Sequence, residues 1–158
     1  MSKLISLTRG QFATVDDADF DELAGVKWYA QSRGNGTFYA ARRGRHKGPL
    51  IYMHRVVNQT PDALHTDHIN GDPLDNRRSN LRSVTAAQNA MNKPAQKGRT
   101  AKGAWFDGST SNANKWRAAI RLNGKLKYLG RFPTEELASA AYATAAKLHF
   151  GQFNRSES

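Results

Sequence analysis

Apolar and polar positions along this chain change period several times, and the changes mark out its elements. Lys3 to Leu7 and Gln11 to Val15 are short β-prone runs flanking Thr8-Arg9-Gly10, which predicts a hairpin. Asp16 to Leu23 starts acidic and ends before Gly25, the pattern of a one- or two-turn helix with Phe20 and Leu23 facing inward. Lys27 to Ala30 and Thr37 to Arg42 read as two more strands, joined through a loop with the turn dipeptide Asn35-Gly36. Most of Trp28, Tyr29, Phe38 and Tyr39 are expected in a small β-layer core. Leu50 to Asn58 is expected to pass from strand into short helix, carrying His54 and Arg55 inward.

Residues 65–92 read as strand, long turn, strand, helix. His65 to Ile69 is the first strand and Asn70 to Asn76 is turn chemistry throughout. Asn80 to Val84 is the second strand. Thr85-Ala86-Ala87-Gln88 has the form of a capping box, opening a helix that stops before Pro94. Beyond a basic linker at 94–102, Gly103 to Phe106, Lys115 to Arg121 and Lys125 to Arg131 predict three strands, the last two joined by the Asn123-Gly124 turn. Thr134 then caps an Ala-rich helix with Glu135 and Glu136 in its first turn, ending near Gly151. In Lys115 to Arg121 the alternation is clean: Trp116, Ala118 and Ile120 on one face, Lys115, Arg117, Ala119 and Arg121 on the other. One face suits a helix, the other a polyanion. The expected class is α+β, with domains at 1–93 and 103–158.

Charge sharpens this picture. The chain has 158 residues, a formal net charge of +11 and a pI near 10.3. So positive a surface repels itself, and a polyanionic partner is its natural reason. From Lys93 to Arg131 the basic residues face a single acid, Asp107. The loop from Arg42 to Gly48, with Arg43 and Arg45, is expected to clamp backbone phosphates. The chain has no cysteine, which excludes disulfides and thiolate-bound zinc. No run is long and apolar enough to span a membrane and the first ten residues lack a signal-peptide core, so a soluble intracellular protein is expected.

The chemistry concentrates in four polar residues: Asp67, His68, Asn80 twelve positions after His68, and Asn89 nine further on. Hydrolysis of a phosphodiester needs an activated water, neutralised phosphate charge and help for the leaving oxygen. His68 titrates near working pH and is the natural general base. Asp67 and Asn89 offer hard oxygen ligands suited to Mg²⁺ or Mn²⁺. Asn80 is placed to hydrogen-bond across the turn and fix the backbone at His68. Neighbours 67 and 68 point to opposite faces of a regular strand, so both serve one site only where the strand ends.

This set resembles the HNH endonucleases, in the Asp-His, Asn, Asn version of phage and intron homing enzymes. The matching text is MHRVV at 53–57, DHINGD at 67–72, DNRRSNLRSVT at 76–85 and QNAMN at 88–92. The first 60 residues also look like the leader of small phage HNH proteins. The resemblance implies a ββα-metal fold, Asp67 and Asn89 as metal ligands, His68 as general base and Asn80 as the middle Asn of the motif. It implies a nicking DNA endonuclease that leaves 5′-phosphate and 3′-hydroxyl ends, acting as a monomer in the cytoplasm of a phage-infected bacterium. Asn89 stands where the family often has His, which favours Mg²⁺ over Zn²⁺. His54 and Arg55 are expected to line the site, one of them on the scissile phosphate.

The second half resembles the plant ethylene-response-factor type DNA-binding domain, in KGAWF at 102–106, KWRAAIR at 115–121 and YLGRFPTEELASAAYATAA at 128–146. The resemblance implies a three-stranded sheet in the major groove of double-stranded DNA, with Arg121 and Tyr128 at contact positions. Trp105 and Leu126 replace the plant members' Arg and Ala119 their Glu, so the plant target sequence does not carry over. Arg117, Lys125 and Lys127 are expected to supply further contacts. The runner-up function is a non-enzymatic DNA-binding regulator with an inactive nuclease scaffold.

Overall fold

A polar loop cannot bury enough apolar surface to hold its own shape, so the fold is best followed through what surrounds the loop at 69–80. The structure is a computed structural model that describes residues 1–34, 36–44, 46, 48–92 and 102–153. Asn35, Arg45 and nearly all of the expected linker lie outside the described residues. The chain folds as two compact units, Met1–Asn92 and Lys93–Ser158.

In the first unit, β1 (Ser2–Ser6) and β2 (Phe12–Asp16) form an antiparallel hairpin, followed by α1 (Asp17–Ala24). β3 (Tyr29–Ser32), β4 (Phe38–Arg43) and β5 (Leu50–Tyr52) form an antiparallel sheet with β4 in the middle. α2 (Met53–Asn58) leads to the antiparallel pair β6 (His65–His68) and β7 (Leu81–Val84), and α3 (Ala86–Met91) packs on both. Alternation sends Ile5, Ala13 and Val15 inward from the first hairpin and Ala30, Ala40 and Phe38 from the sheet. They meet Met53 and Val57 of α2 and Leu81 of β7 in one core. The leader and the ββα segment are therefore one hydrophobic body. Trp28 is buried just before β3, its indole N–H donating to Leu23 O at 2.9 Å.

The second unit has β8 (Ala104–Phe106), β9 (Trp116–Leu122) and β10 (Lys125–Phe132), antiparallel with β9 central, under α4 (Glu135–Phe150). Trp116, Ala118 and Phe132 pack toward Ala138 and Ala141 of α4. Asn123 and Gly124 both have positive φ, 49° and 77°, the type I′ geometry that matches strand twist. Small residues let the helix settle close to the sheet, and Gly103 is where this is tightest. Its φ is +74°, and a Cβ there would lie 1.9 Å from the Tyr142 ring. Gly103→Ala is expected to lower the stability of this unit by roughly 2–4 kcal/mol, from overpacking and a left-handed backbone together. Urea unfolding of the full chain, followed by tryptophan fluorescence, measures it.

Candidate active site

The loop between β6 and β7 is built from side chains that bond their own backbone. Asp72 N donates to Asn70 Oδ1 at 2.8 Å and Leu74 N to Asp72 Oδ1 at 2.9 Å. Asn80, buried, spans the loop: its Oδ1 accepts from Asn70 N at 3.0 Å and its Nδ2 donates to Asp75 O at 2.8 Å. Its own carbonyl accepts from Ile69 N at 2.9 Å, closing the strand pair just past His68. The leader holds the loop from outside. Thr14 N donates to Leu74 O at 2.8 Å and Asn76 N to Thr14 O at 2.7 Å, and Arg78 is bidentate to Asp19 at 2.9 and 2.6 Å.

His68 is the last residue of β6 and is buried. Its Nε2 lies 3.4 Å from Oδ1 of the fully buried Asn76. Burial pushes its pKa below the ordinary histidine value, against opposing pulls from Asn76 and the carboxylates of Asp67, Asp72 and Asp75. The imidazole is thus neutral at working pH, the form a general base needs.

Asp67 is also buried, at 6% exposure. Its Oδ2 accepts from Arg82 Nε at 2.9 Å and pairs with Arg82 Nη2 at 2.7 Å. Its Oδ1 accepts from Asn92 Nδ2 at 2.9 Å, and the same Nδ2 reaches His68 O at 2.7 Å. Asn92 therefore ties the helix to the Asp67–His68 corner, a role the sequence reading did not assign. Its side-chain oxygen is buried without a hydrogen-bond partner among the described residues. Asn89 lies half-buried on α3, and its side chain makes no hydrogen bond among the described residues.

These donors fit a hard divalent ion. They are oxygens, one of them from a carboxylate that still has spare lone pairs, and an orphaned amide oxygen lies beside it. Among the described residues there is no cluster of three or more His, Cys, Asp or Glu, so an ion held beside Asp67 would need amide oxygens, waters and substrate to complete its shell.

The remaining expected contacts fall in different places. Arg55 donates to the carbonyls of Leu64, Thr60 and Pro61 at 3.0 to 3.2 Å and locks the turn before β6. Arg42 lies over the Trp28 ring, 5.5 Å from its centroid. Arg43 is exposed and shares a sheet face with Tyr39 and Tyr52. In the second unit, Arg117 stands between the rings of Trp105 and Tyr128, at 5.4 and 5.1 Å, and reaches Asp107, which also takes Arg131 at 2.8 Å. Arg121 is exposed and donates to Gly124 O at 2.7 Å. The register pairs Arg121 with Leu126 and Ala119 with Tyr128 on the open face. It pairs Lys127 with Ile120 and Lys125 with Leu122, placing both lysines on the side that carries α4.

Comparison with known proteins agrees with this geometry. Residues 52–91, from the end of β5 through α3, match the HNH endonuclease family. An uncharacterized HNH endonuclease of Acanthamoeba polyphaga mimivirus is 29% identical over 95% of this chain and 76% of its own length. Protein 3.8 of Escherichia phage T7 is 31% identical over 75% of this chain and 93% of its own. No solved structure matches the chain significantly. Residues 52–91 thus carry an HNH endonuclease segment, and the chain is an endonuclease, an enzyme that hydrolyses phosphodiester bonds within a nucleic acid. No helix among the described residues is long and apolar enough to cross a membrane.

Asn92→Ala is expected to loosen α3 from the corner and lower stability by roughly 1–3 kcal/mol, since two buried acceptors lose their donor. Thermal unfolding monitored by circular dichroism checks it, and an unchanged melting temperature would mean that α3 is held by its apolar contacts alone.

Proposed function

We propose that this chain is a divalent-metal-dependent endonuclease that nicks double-stranded DNA, leaving 5′-phosphate and 3′-hydroxyl ends. The observation that carries the reading is a buried imidazole, His68, at the closed end of a strand beside a carboxylate and packed near α3, whose Asn89 amide makes no hydrogen bond among the described residues. Asp67 and Asn89 would hold Mg²⁺ or Mn²⁺, which when bound neutralises phosphate charge and eases departure of the leaving oxygen. His68 takes a proton from a water whose oxygen attacks phosphorus. The bond from phosphorus to the 3′ oxygen breaks, and that oxygen takes a proton from solvent. Asn80 keeps the backbone at His68 in place through its bonds to Asn70 and Asp75. One such centre per chain yields one cut strand.

The second unit is read as the DNA-holding part. A three-stranded sheet is about as wide as the major groove, which admits β-structure. Support comes from its open face, where exposed Arg121, Leu126 and Tyr128 adjoin Arg117 between two rings. Arg43 on the first unit is read as an additional phosphate contact.

His68→Ala is expected to bind duplex DNA like wild type and to cut roughly 10²–10⁴-fold more slowly. A supercoiled plasmid assay with Mg²⁺, then with EDTA, measures this; wild-type cutting by the variant, or cutting in EDTA, would refute the assigned base or the metal. Arg121→Ala is expected to weaken duplex binding and flatten its salt dependence by about one unit of slope. Unchanged affinity and slope in a salt titration would remove that face from the interface.

A further inference from the structure

His54, on α2, is buried at 8% exposure, and its ring centroid lies 5.0 Å from that of His68, edge to face at 84°. Tyr52 stacks on it at 5.3 Å and 13°, and Tyr39 stands edge-on to both imidazoles, at 5.6 Å from His54 and 6.0 Å from His68. These rings fix the plane of His54 in the way that hydrogen bonds usually fix a buried histidine.

Neither ring nitrogen of His54 has a hydrogen-bond partner among the described residues, and Nδ1 is sealed from solvent. A buried polar atom left unpaired is destabilising, so phenylalanine would fill a purely packing position better. Unpaired buried N–H groups are rarer than unpaired acceptors, which puts the proton on Nε2 and leaves Nδ1 as a bare lone pair inside the wall. Burial beside His68 also pushes the His54 pKa down to about 3, so the ring stays uncharged.

We propose that His54 is a second catalytic imidazole, whose Nε2–H donates to a non-bridging oxygen of the scissile phosphate beside His68. This rests on the endonuclease reading of His68. As water adds to phosphorus, negative charge builds on those oxygens, and a donor fixed in place beforehand stabilises it without reorganising. A neutral donor also adds no second positive charge beside an imidazole that is itself becoming protonated. His54 supplies no proton to the reaction; it holds the phosphate while His68 accepts the proton of the attacking water.

The test compares His54→Phe, His54→Gln and His54→Ala in the full chain, by plasmid nicking in Mg²⁺ and by thermal unfolding. His54→Phe keeps the ring and loses the donor; it is expected to melt no lower than wild type. Its kcat should fall about a hundredfold, with KM within about threefold. His54→Gln carries an amide N–H at about the reach of Nε2 and is expected to cut about tenfold faster than His54→Ala. Wild-type kcat in His54→Phe overturns the proposal, as does a folded His54→Gln no faster than His54→Ala. A wild-type chain that cuts no DNA with Mg²⁺ removes the endonuclease reading instead, and this inference with it.

Discussion

The backbone exchange between Thr14 and residues 74–76 is the constraint on which the loop at 69–80, and with it the candidate site, depends. Between Ile69 and Asn80 the chain has few apolar side chains to bury, and its internal Asx bonds define only local turns. Two backbone hydrogen bonds at 2.8 and 2.7 Å attach it as a parallel bridge to β2, whose other side is the apolar core. With the loop fixed, Asn80 closes it across Asn70 and Asp75, and His68 is left at a defined strand end. Arg78 on Asp19 adds a second fastening to α1, one that leaves a mostly buried carboxylate neutralised.

Around that frame, opposite physical environments meet at neighbouring residues. His68 faces rings, and burial keeps it neutral. Asp67 faces a guanidinium and an amide, which supply the hydrogen bonds a carboxylate taken out of water needs. One strand end thus presents a base and an anion side by side. Arg82 has a further consequence: it already neutralises Asp67, so a divalent ion there would have to compete with it or share the carboxylate.

What the sequence made legible was mostly local. The capping box at Thr85 and Gln88 forms with both reciprocal bonds, because four consecutive residues contain all of its parts. Trp116 and Ala118 of β9 pack under α4 as the alternation predicts, because a strand's period is fixed by its backbone, but Ala119 on the other face is buried as well. The turn residues from Asn70 to Asp75 act as such for the same reason. What was not legible depends on partners that the local pattern does not name. Arg55, expected to line the site, donates to the carbonyls of the turn at 60–64, which no composition rule reveals. Asn92 reads as a helix-end residue until Asp67 and His68 are brought to it. Tyr39, grouped with core aromatics, sits on the opposite sheet face from Phe38 and meets the two imidazoles. The sides taken by Lys125 and Lys127 follow from the pairing register, which alternation within one strand does not define.

The Thr14 attachment also bears on how the molecule comes into being. Its two halves are some sixty residues apart in the chain, and closing so long a segment is entropically slow compared with forming a hairpin. During synthesis from the N-terminus, β1 and β2 emerge well before the loop they will hold. The strand end at His68 therefore takes its shape only after residues 65–91 have been made and have folded back onto β2. A ribosome-bound fragment that stops before them holds β1 and β2 with the edge at Thr14 still unpaired to the loop, while a fragment that includes them has what it needs to close it before the second unit is complete.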